Sequence, residues 1–264
     1  MKKIMVFAVV IGMALLCFAG CGAETAQSDS AYVKEQGKLI VGITDFKPMD
    51  FQQAGSDAWV GFDAELAKAF AAELGVEAEF VVISWDTKEF ELDSKSIDCV
   101  WNGMTLTDGV KAAMETSKPY CKNAQVVVVP KELAGQYQSV EDVKALRFAA
   151  ESGSAGEAAL LELGCSVTPV TAQTDAVKEV AAGTSDAAVI DLLMAGAMIG
   201  EGTSYENLTY TVALTTEEYG VGFRKGSDLA AALNDFFAKA YADGTMTALA
   251  AQYSILPENV IEQG

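Results

Sequence analysis

The chain has 264 residues, of which 51% are hydrophobic and 5 are proline, so it can bury the core of one large domain or of two lobes. Its formal charge of −19 speaks against nucleic-acid binding, because a phosphate backbone needs clustered lysine and arginine. The sequence contains no histidine, which excludes Ser–His and Cys–His catalysis and zinc sites built on histidine.

The N-terminus is typical of an export signal. Lys2 and Lys3 form a basic start, residues 4–18 form an apolar run, and Ala19-Gly20-Cys21 resembles the processing site of a bacterial lipoprotein, with Cys21 as the lipidated first residue of the mature chain. The alternative is an uncleaved anchor helix with an incidental cysteine. Either interpretation predicts a protein held at the extracellular face of the cell membrane.

Three cysteines lie beyond this leader, at Cys99, Cys121 and Cys165. Because the number is odd, at most one disulfide can form among them. Their spacing matches no metal site, and we interpret all three as small buried hydrophobic residues. Whether Cys99 and Cys121 pair stays open at this point.

Local patterns in the first half of the chain predict alternating strands and helices. Residues 38–43 are apolar and rich in β-branched side chains, which favours a strand. Leu66, Phe70 and Leu74 lie four residues apart before Gly75, which predicts an amphipathic helix that ends at the glycine. A strand over 77–83 and a helical segment near 88–94 follow. This alternation predicts a parallel sheet flanked by helices, with ligands bound at the carboxyl ends of the strands.

The stretch from Ile97 to Lys111 lies at such an end. We expect a short strand, a bend at Asn102 and Gly103, and a helix that begins after Thr107 and Asp108. A strand that passes through glycine into a helix leaves free backbone N–H groups, which can cradle an anion. The plainer alternative is a strand exit followed by a helix N-cap, which Thr107 or Asp108 can supply.

The second half repeats the alternating pattern. Two apolar segments, at 126–129 and 213–223, enclose a region that predicts its own sheet and helices. Within that region we expect strands at 146–150, 167–170 and 187–190, and helices at 156–163, 175–182 and 192–198. Two further helices, at 229–241 and 245–253, close the chain.

Five short sequences in register give the chain a family resemblance, and they lie at 61–66, 102–107, 119–120, 151–154 and 219–223. Their order is similar to that in the extracellular solute-binding proteins of polar amino acid ABC importers, over about residues 36–255. The resemblance implies an α/β fold of the periplasmic-binding-protein type. This is a clamshell of two lobes, each a mostly parallel sheet flanked by helices, joined by two hinge strands.

With these elements, the expected domain organisation has four parts. Residues 1–20 are the signal peptide and 21–35 the tether. Residues 36–128 and 216–264 form the first lobe, and 129–215 form the second.

The resemblance also implies a ligand site in the cleft. Phe46 and Trp85 correspond to aromatic walls, although either could instead belong to the core. Gly103 and Thr105 correspond to contacts with a ligand α-carboxylate, and Asp191 to the carboxylate that holds the α-ammonium, although a helix N-cap is its alternative role. The predicted binding residues are Phe46, Trp85, Asn102, Gly103, Thr105, Glu151, Ser154 and Asp191.

One departure from the family pattern bears on the ligand. Val110 stands where most members carry an arginine that binds the ligand α-carboxylate through two hydrogen bonds. Without it, either Lys111 or backbone N–H groups bind the carboxylate, or the ligand is not a standard α-amino acid. Asp45, Asp86, Glu151 and Asp191 could together bring four carboxylates to the cleft. We therefore expect cationic or neutral polar amino acids to be favoured over acidic ones.

The resulting functional prediction is a surface-tethered, monomeric binding protein that passes a small amine-bearing solute to an ABC permease without a cofactor or metal. One alternative is an enzyme on the same fold, resembling dehydratases, in which Glu151 acts as a general acid. Another is a sensory or partner-binding module without a role in transport.

Overall fold

The computed structural model describes residues 27–264, so the predicted leader and Cys21 lie outside the described residues. The helices are α1 (Asp29–Gln36), α2 (Phe62–Leu74), α3 (Lys88–Asp93), α4 (Asp108–Ala113), α5 (Val140–Val143), α6 (Ala155–Glu162), α7 (Gln173–Ala182), α8 (Leu192–Met198), α9 (Leu229–Ala242) and α10 (Thr245–Gln252). The strands are β1 (Lys38–Ile43), β2 (Phe51–Gln52), β3 (Trp59–Val60), β4 (Glu77–Val82), β5 (Cys99–Thr105), β6 (Glu115–Thr116), β7 (Cys121–Pro130), β8 (Arg147–Glu151), β9 (Ser166–Val170), β10 (Ala187–Asp191) and β11 (Leu208–Phe223).

The predicted two-lobed α/β fold is confirmed. One mixed sheet runs through the protein in the strand order β4-β1-β5-β11-β7-β10-β8-β9. The pairs β4-β1-β5 in the first lobe and β10-β8-β9 in the second are parallel. The helices α2, α9 and α10 pack together on the first lobe, and α6 and α7 pack on the strands of the second.

Strands β7 and β11 connect the lobes. They pair antiparallel along most of their length, from Leu208 opposite Pro130 to Tyr219 opposite Cys121. Residues 126–128 of β7 pair with β10 in the second lobe, whereas the end of β11 pairs with β5 in the first. The two strands therefore bring hinge side chains to the place where the lobes face each other.

Strand β5 differs from the prediction in its extent. It continues through Asn102 and Gly103 to Thr105, so the predicted bend lies inside the strand. Gly103 has φ +56° and marks the irregularity. The opposing strand accommodates it, because the pairing register shifts between Gly220 and Gly222.

Residues 29–35, which are predicted to belong to the tether, lie in helix α1, and this helix packs against the first lobe. Val33 of this helix is buried, and Asp29 pairs with the Arg224 guanidinium at 3.1 Å. Arg224 also pairs with Asp98 at 3.1 Å. Residues before the predicted lobe boundary at residue 36 are thus attached to the first lobe.

The three cysteines beyond the leader, Cys99, Cys121 and Cys165, are buried free thiols in the described chain. Burial raises the pKa of each thiol, which keeps it protonated. They serve as small apolar residues, as predicted.

Candidate functional site

A cavity of about 140 Å³ lies between the lobes where β5, the hinge strand β7 and the N-terminal ends of α3 and α6 meet. Both lobes contribute to its wall. Its lining residues are Trp85, Lys88, Asn102, Gly103, Met104, Thr105, Thr107, Val110, Gln125, Glu151, Gly153, Ser154, Ala155, Ala158, Gln173 and Asp191. Of the eight predicted binding residues, all except Phe46 line this cavity.

The backbone around Gly103 is held from behind by two buried carboxyl groups. The Asn102 side chain donates to Asp50 Oδ2 at 2.7 Å, and the Gly103 N–H donates to Asp63 Oδ2 at 2.7 Å. Burial raises the pKa of Asp63 to about 7 and that of Asp50 well above its usual range. Because the Gly103 N–H already has a partner, the predicted anion cradle does not include it. Thr107 instead caps α4 by accepting a bond from Val110 N at 3.1 Å, which is the plainer alternative.

The two predicted aromatic walls occupy different places. Trp85 lies at the end of the loop after β4, lines the cavity, and also packs into an apolar cluster with Val110. Phe46 lies behind Gly103, and its ring makes an edge contact with Tyr219 at a centroid distance of 6.3 Å. Phe46 therefore shapes the cavity only indirectly, because it supports the backbone that lines it.

Lys88 supplies the cation that lines the cavity, and it is not among the binding residues predicted from the sequence. Its ammonium lies 4.9 Å from the centre of the Trp85 ring and donates to the Trp85 carbonyl at 3.0 Å. Lys111, the lysine considered in the sequence analysis, is exposed on α4 and does not line the cavity. Both arginines are engaged elsewhere, Arg147 with Asp186 and Arg224 with Asp29 and Asp98.

Two of the four predicted carboxylates reach the cavity. Asp45 and Asp86 are exposed and lie outside it, whereas Glu151 and Asp191 line it. Glu151 is 2% exposed, and its Oε1 has no hydrogen-bond partner within the described residues. Burial raises the pKa of Glu151 to about 8 against the opposing effect of the Lys88 cation, so this carboxyl is largely protonated at neutral pH.

Asp191 is the most heavily bonded carboxylate of the site. Its Oδ1 accepts from Gln125 Nε2 at 2.9 Å, from the Tyr219 hydroxyl at 2.7 Å and from Asn123 Nδ2, and its Oδ2 accepts from Gln173 Nε2. It occupies the N-cap position of α8, yet its side chain makes no capping bond. The carboxylate is therefore directed into the site by residues of both hinge strands and of α7.

Asn123 and Gln125 also donate to Glu217 on β11, at 2.6 and 2.8 Å. These amides thus bridge two carboxylates at the hinge. Burial and the neighbouring Glu217 raise the pKa of Asp191 well above its usual range.

Ser154 and Gly153 place the second lobe against the first. Ser154 caps α6 by accepting from Glu157 N at 3.1 Å, and its hydroxyl hydrogen remains free to donate toward the cavity. Gly153 has φ +72°, and a Cβ atom there would lie 2.9 Å from Asp86 Cα. The Gly153 carbonyl accepts a 3.2 Å bond from Lys88 Nζ, so the lobes touch at this point.

Four residues of the site, Lys88, Asn123, Gln125 and Gln173, are not among the predicted binding residues. The sequence contains weak signals for the first three. Lys88 follows Trp85 by three positions, a spacing that places two side chains on one face of a helical turn. Asn123 and Gln125 are polar residues at alternate positions in a strand whose second half is apolar, and this alternation directs them to one side of the sheet. Gln173 carries no comparable signal.

In residues 27–264, none of the helices combines the length and the apolar character that a membrane span requires.

The chain is similar to known solute-binding proteins. The family of bacterial extracellular solute-binding proteins, family 3, matches residues 39–255, and the chain belongs to this family. The L-cystine-binding protein TcyJ of Escherichia coli (strain K12) is 33% identical over 256 residues, which cover 95% of this chain and 92% of that protein.

Solved structures agree in fold. The P235GK mutant of ArgBP from T. maritima superposes with a TM-score of 0.79 at 30% identity and covers 85% of this chain and 98% of its own. The ancestral amino acid-binding protein AncCDT-1, described as a precursor of cyclohexadienyl dehydratase, gives the same TM-score and identity over 86% of this chain and 99% of its own.

Proposed function

We propose that this protein is the substrate-binding component of an ABC importer and that it captures an α-amino acid in the cavity between its lobes. The observation that carries the proposal is the buried Asp191 carboxylate, which both hinge strands direct into a cavity walled by both lobes. The family membership and the amino-acid-binding relatives support it.

In this proposal the two polar ends of the ligand contact different parts of the site. The α-ammonium binds the Asp191 carboxylate, because a charge-assisted hydrogen bond in a closed site is strong. The α-carboxylate lies near Thr105 of the first lobe and Ser154 of the second, where hydroxyl donors replace the arginine absent at Val110. A ligand bound by both lobes favours the closed arrangement, and closure presents the loaded protein to its permease.

We further propose the cellular setting from the N-terminal sequence. Lipidation of Cys21 would hold the mature, monomeric protein at the extracellular face of the cell membrane, next to the permease that receives the solute. The lobe boundaries near residues 128 and 215 are part of the same proposal.

The proposal is tested by thermal unfolding in the presence of a panel of amino acids. A bound ligand at about 100 times its Kd should raise the Tm of a protein of this size by about 5–10 °C. Asp191→Asn should lower affinity by about 10–100-fold, because an amide cannot form the charge-assisted hydrogen bond that a carboxylate forms with an ammonium. Asp186→Asn is the matched control, since Asp186 is partly exposed and pairs with Arg147 away from the cavity.

The same panel also tests the enzyme alternative. Glu151 is a buried acid in the cavity, and one structural neighbour is described as a dehydratase precursor. Stabilisation by an amino acid without consumption of that amino acid supports the binding protein. Turnover that disappears in Glu151→Gln would overturn it in favour of catalysis.

A further inference from the structure

Lys88 bridges the two lobes inside the cavity. It begins α3 in the first lobe, is 8% exposed, and donates to the Trp85 carbonyl at 3.0 Å and to the Gly153 carbonyl of the second lobe at 3.2 Å. Its ammonium also lies 4.9 Å from the centre of the Trp85 ring. A buried lysine loses much of its hydration, so these contacts compensate for burial.

These surroundings are the ones that a cationic ligand side chain would need. Cations in proteins bind over aromatic faces, against oxygen acceptors and near carboxyl groups. Here the ring of Trp85, the two carbonyls and the nearby Glu151 surround an ammonium that belongs to the chain itself. The Lys88 ammonium already occupies this position, so the charged end of a lysine or arginine ligand would be excluded from it and repelled by the like charge.

Two groups at this position, Lys88 and Glu151, have hydrogen-bonding capacity that contacts within the described residues do not use. A lysine ammonium has three N–H donors, and two of those of Lys88 are bonded within the described residues. Glu151 Oε1 is buried without a hydrogen-bond partner, and burial raises the pKa of this carboxyl to about 8, so it can also donate a proton to a hydrogen bond at neutral pH. Both groups can therefore donate to an oxygen acceptor on a ligand in the cavity.

We propose that Lys88 is a specificity-determining residue, an internal cation that excludes lysine and arginine and selects amino acids whose side chain ends in a carboxamide or carboxylate oxygen. The inference rests on the proposed function, since it requires that an amino acid bind in this cavity. The proposed selectivity differs from the preference for cationic ligands that the sequence predicts. That preference was based on the carboxylates of the cleft alone, whereas Lys88 adds a positive charge to the cavity.

The test is calorimetric titration of the purified protein with glutamine, glutamate, cystine, lysine and arginine. The wild type should bind at least one of the first three ligands at least tenfold more tightly than lysine or arginine. Lys88→Met should reduce that ratio by tenfold or more, because it removes the charge and all three N–H donors. Comparison of glutamine with glutamate distinguishes a carboxamide from a carboxylate as the selected group.

Two further variants control the result. Lys111→Met removes the same charge from an exposed position of the first lobe and should leave the ratio unchanged. Lys88→Arg keeps a cation in the cavity, should fold if Lys88→Met does not, and should still reject lysine and arginine. Preference for arginine in the wild type, or an unchanged ratio in Lys88→Met, would overturn the inference alone. Failure of all five ligands to bind any variant would overturn the proposed function.

Discussion

The Gly103 N–H and the Asp63 carboxylate form a 2.7 Å hydrogen bond that joins the cavity wall to the start of α2. Asp63 also accepts a bond from the Tyr120 hydroxyl at 2.7 Å, and it is fully buried. One carboxyl group therefore fixes both a core aromatic residue and the backbone that a ligand would touch.

Replacement of Asp63 by asparagine should therefore affect both stability and binding. In asparagine an NH2 group replaces one of the two carboxyl oxygens that accept from Gly103 and Tyr120, so unfolding in urea should show a loss of about 1–3 kcal/mol. Ligand affinity should fall as well, because Gly103 loses its anchor. Tyr120→Phe is the control, since it removes only the hydroxyl bond and should weaken stability more than affinity. Unchanged affinity in Asp63→Asn would contradict the anchoring role.

The conformation of Gly103 leads to a second prediction. An alanine Cβ there would lie 2.5 Å from Phe46 Cε1 and 3.1 Å from Tyr219 Cε2, in backbone with φ +56°. Gly37 has a similar φ of +71° with open space around it. Gly37→Ala should cost about 1–2 kcal/mol from backbone strain alone, and Gly103→Ala should cost about 1–3 kcal/mol more from crowding. Equal losses in urea unfolding would show that Phe46 does not support the cavity wall.

Buried acids should make the ligand-free protein more stable at mildly acidic pH than at alkaline pH. Burial raises the pKa of Asp63 to about 7 and of Glu151 to about 8, whereas both titrate near 4 in an unfolded chain. At a pH between the unfolded pKa and the folded pKa, the folded state holds more protons than the unfolded state. The free energy of unfolding therefore falls as pH rises from about 5 to 8.

Urea midpoints at pH 5, 6, 7 and 8 measure this slope. Glu151→Gln should reduce this slope, because the amide does not titrate, and the slope that remains belongs to the other buried acids such as Asp63. Glu132→Gln removes an exposed carboxyl from the same lobe and should retain the wild-type slope. A midpoint that rises from pH 5 to 8 in the wild type would contradict the assignment of buried, protonated carboxyls.

The N-terminal interpretation predicts a lipid on Cys21. Mass spectrometry of the protein isolated from membranes of its native cells should show a mature chain that begins at Cys21 and carries acyl groups. Cys21→Ala should release the protein from the membrane fraction without changing ligand affinity, because the cavity lies far along the chain from the leader. An unmodified Cys21 in a secreted form would contradict the anchor.

Elements defined by local chemistry could be predicted well. Helix α2 was predicted because its apolar residues repeat every four positions and Gly75 ends it in the left-handed conformation. Strand β1 was predicted over the observed residues, because its β-branched run is bounded by polar residues. Both signals lie within one segment and need no knowledge of the rest of the chain.

Features that depend on distant contacts could not be predicted in this way. Lys88 becomes a residue of the cavity only because the second lobe brings Gly153 to it, 65 positions along the chain. The Gly103 anchor depends on Asp63, which is 40 positions away. Helix α1 is polar, and its attachment through Arg224 spans 195 positions, so its sequence alone was indistinguishable from a tether.

The most direct test of the account is a crystal structure of the protein with the tightest-binding amino acid of the panel. The predicted result is one ligand between the lobes, with its α-ammonium within hydrogen-bond distance of Asp191 and its side chain ending beside Lys88 and Glu151. A ligand bound elsewhere on the protein, or in this cavity with its ammonium turned away from Asp191, would contradict the central claim.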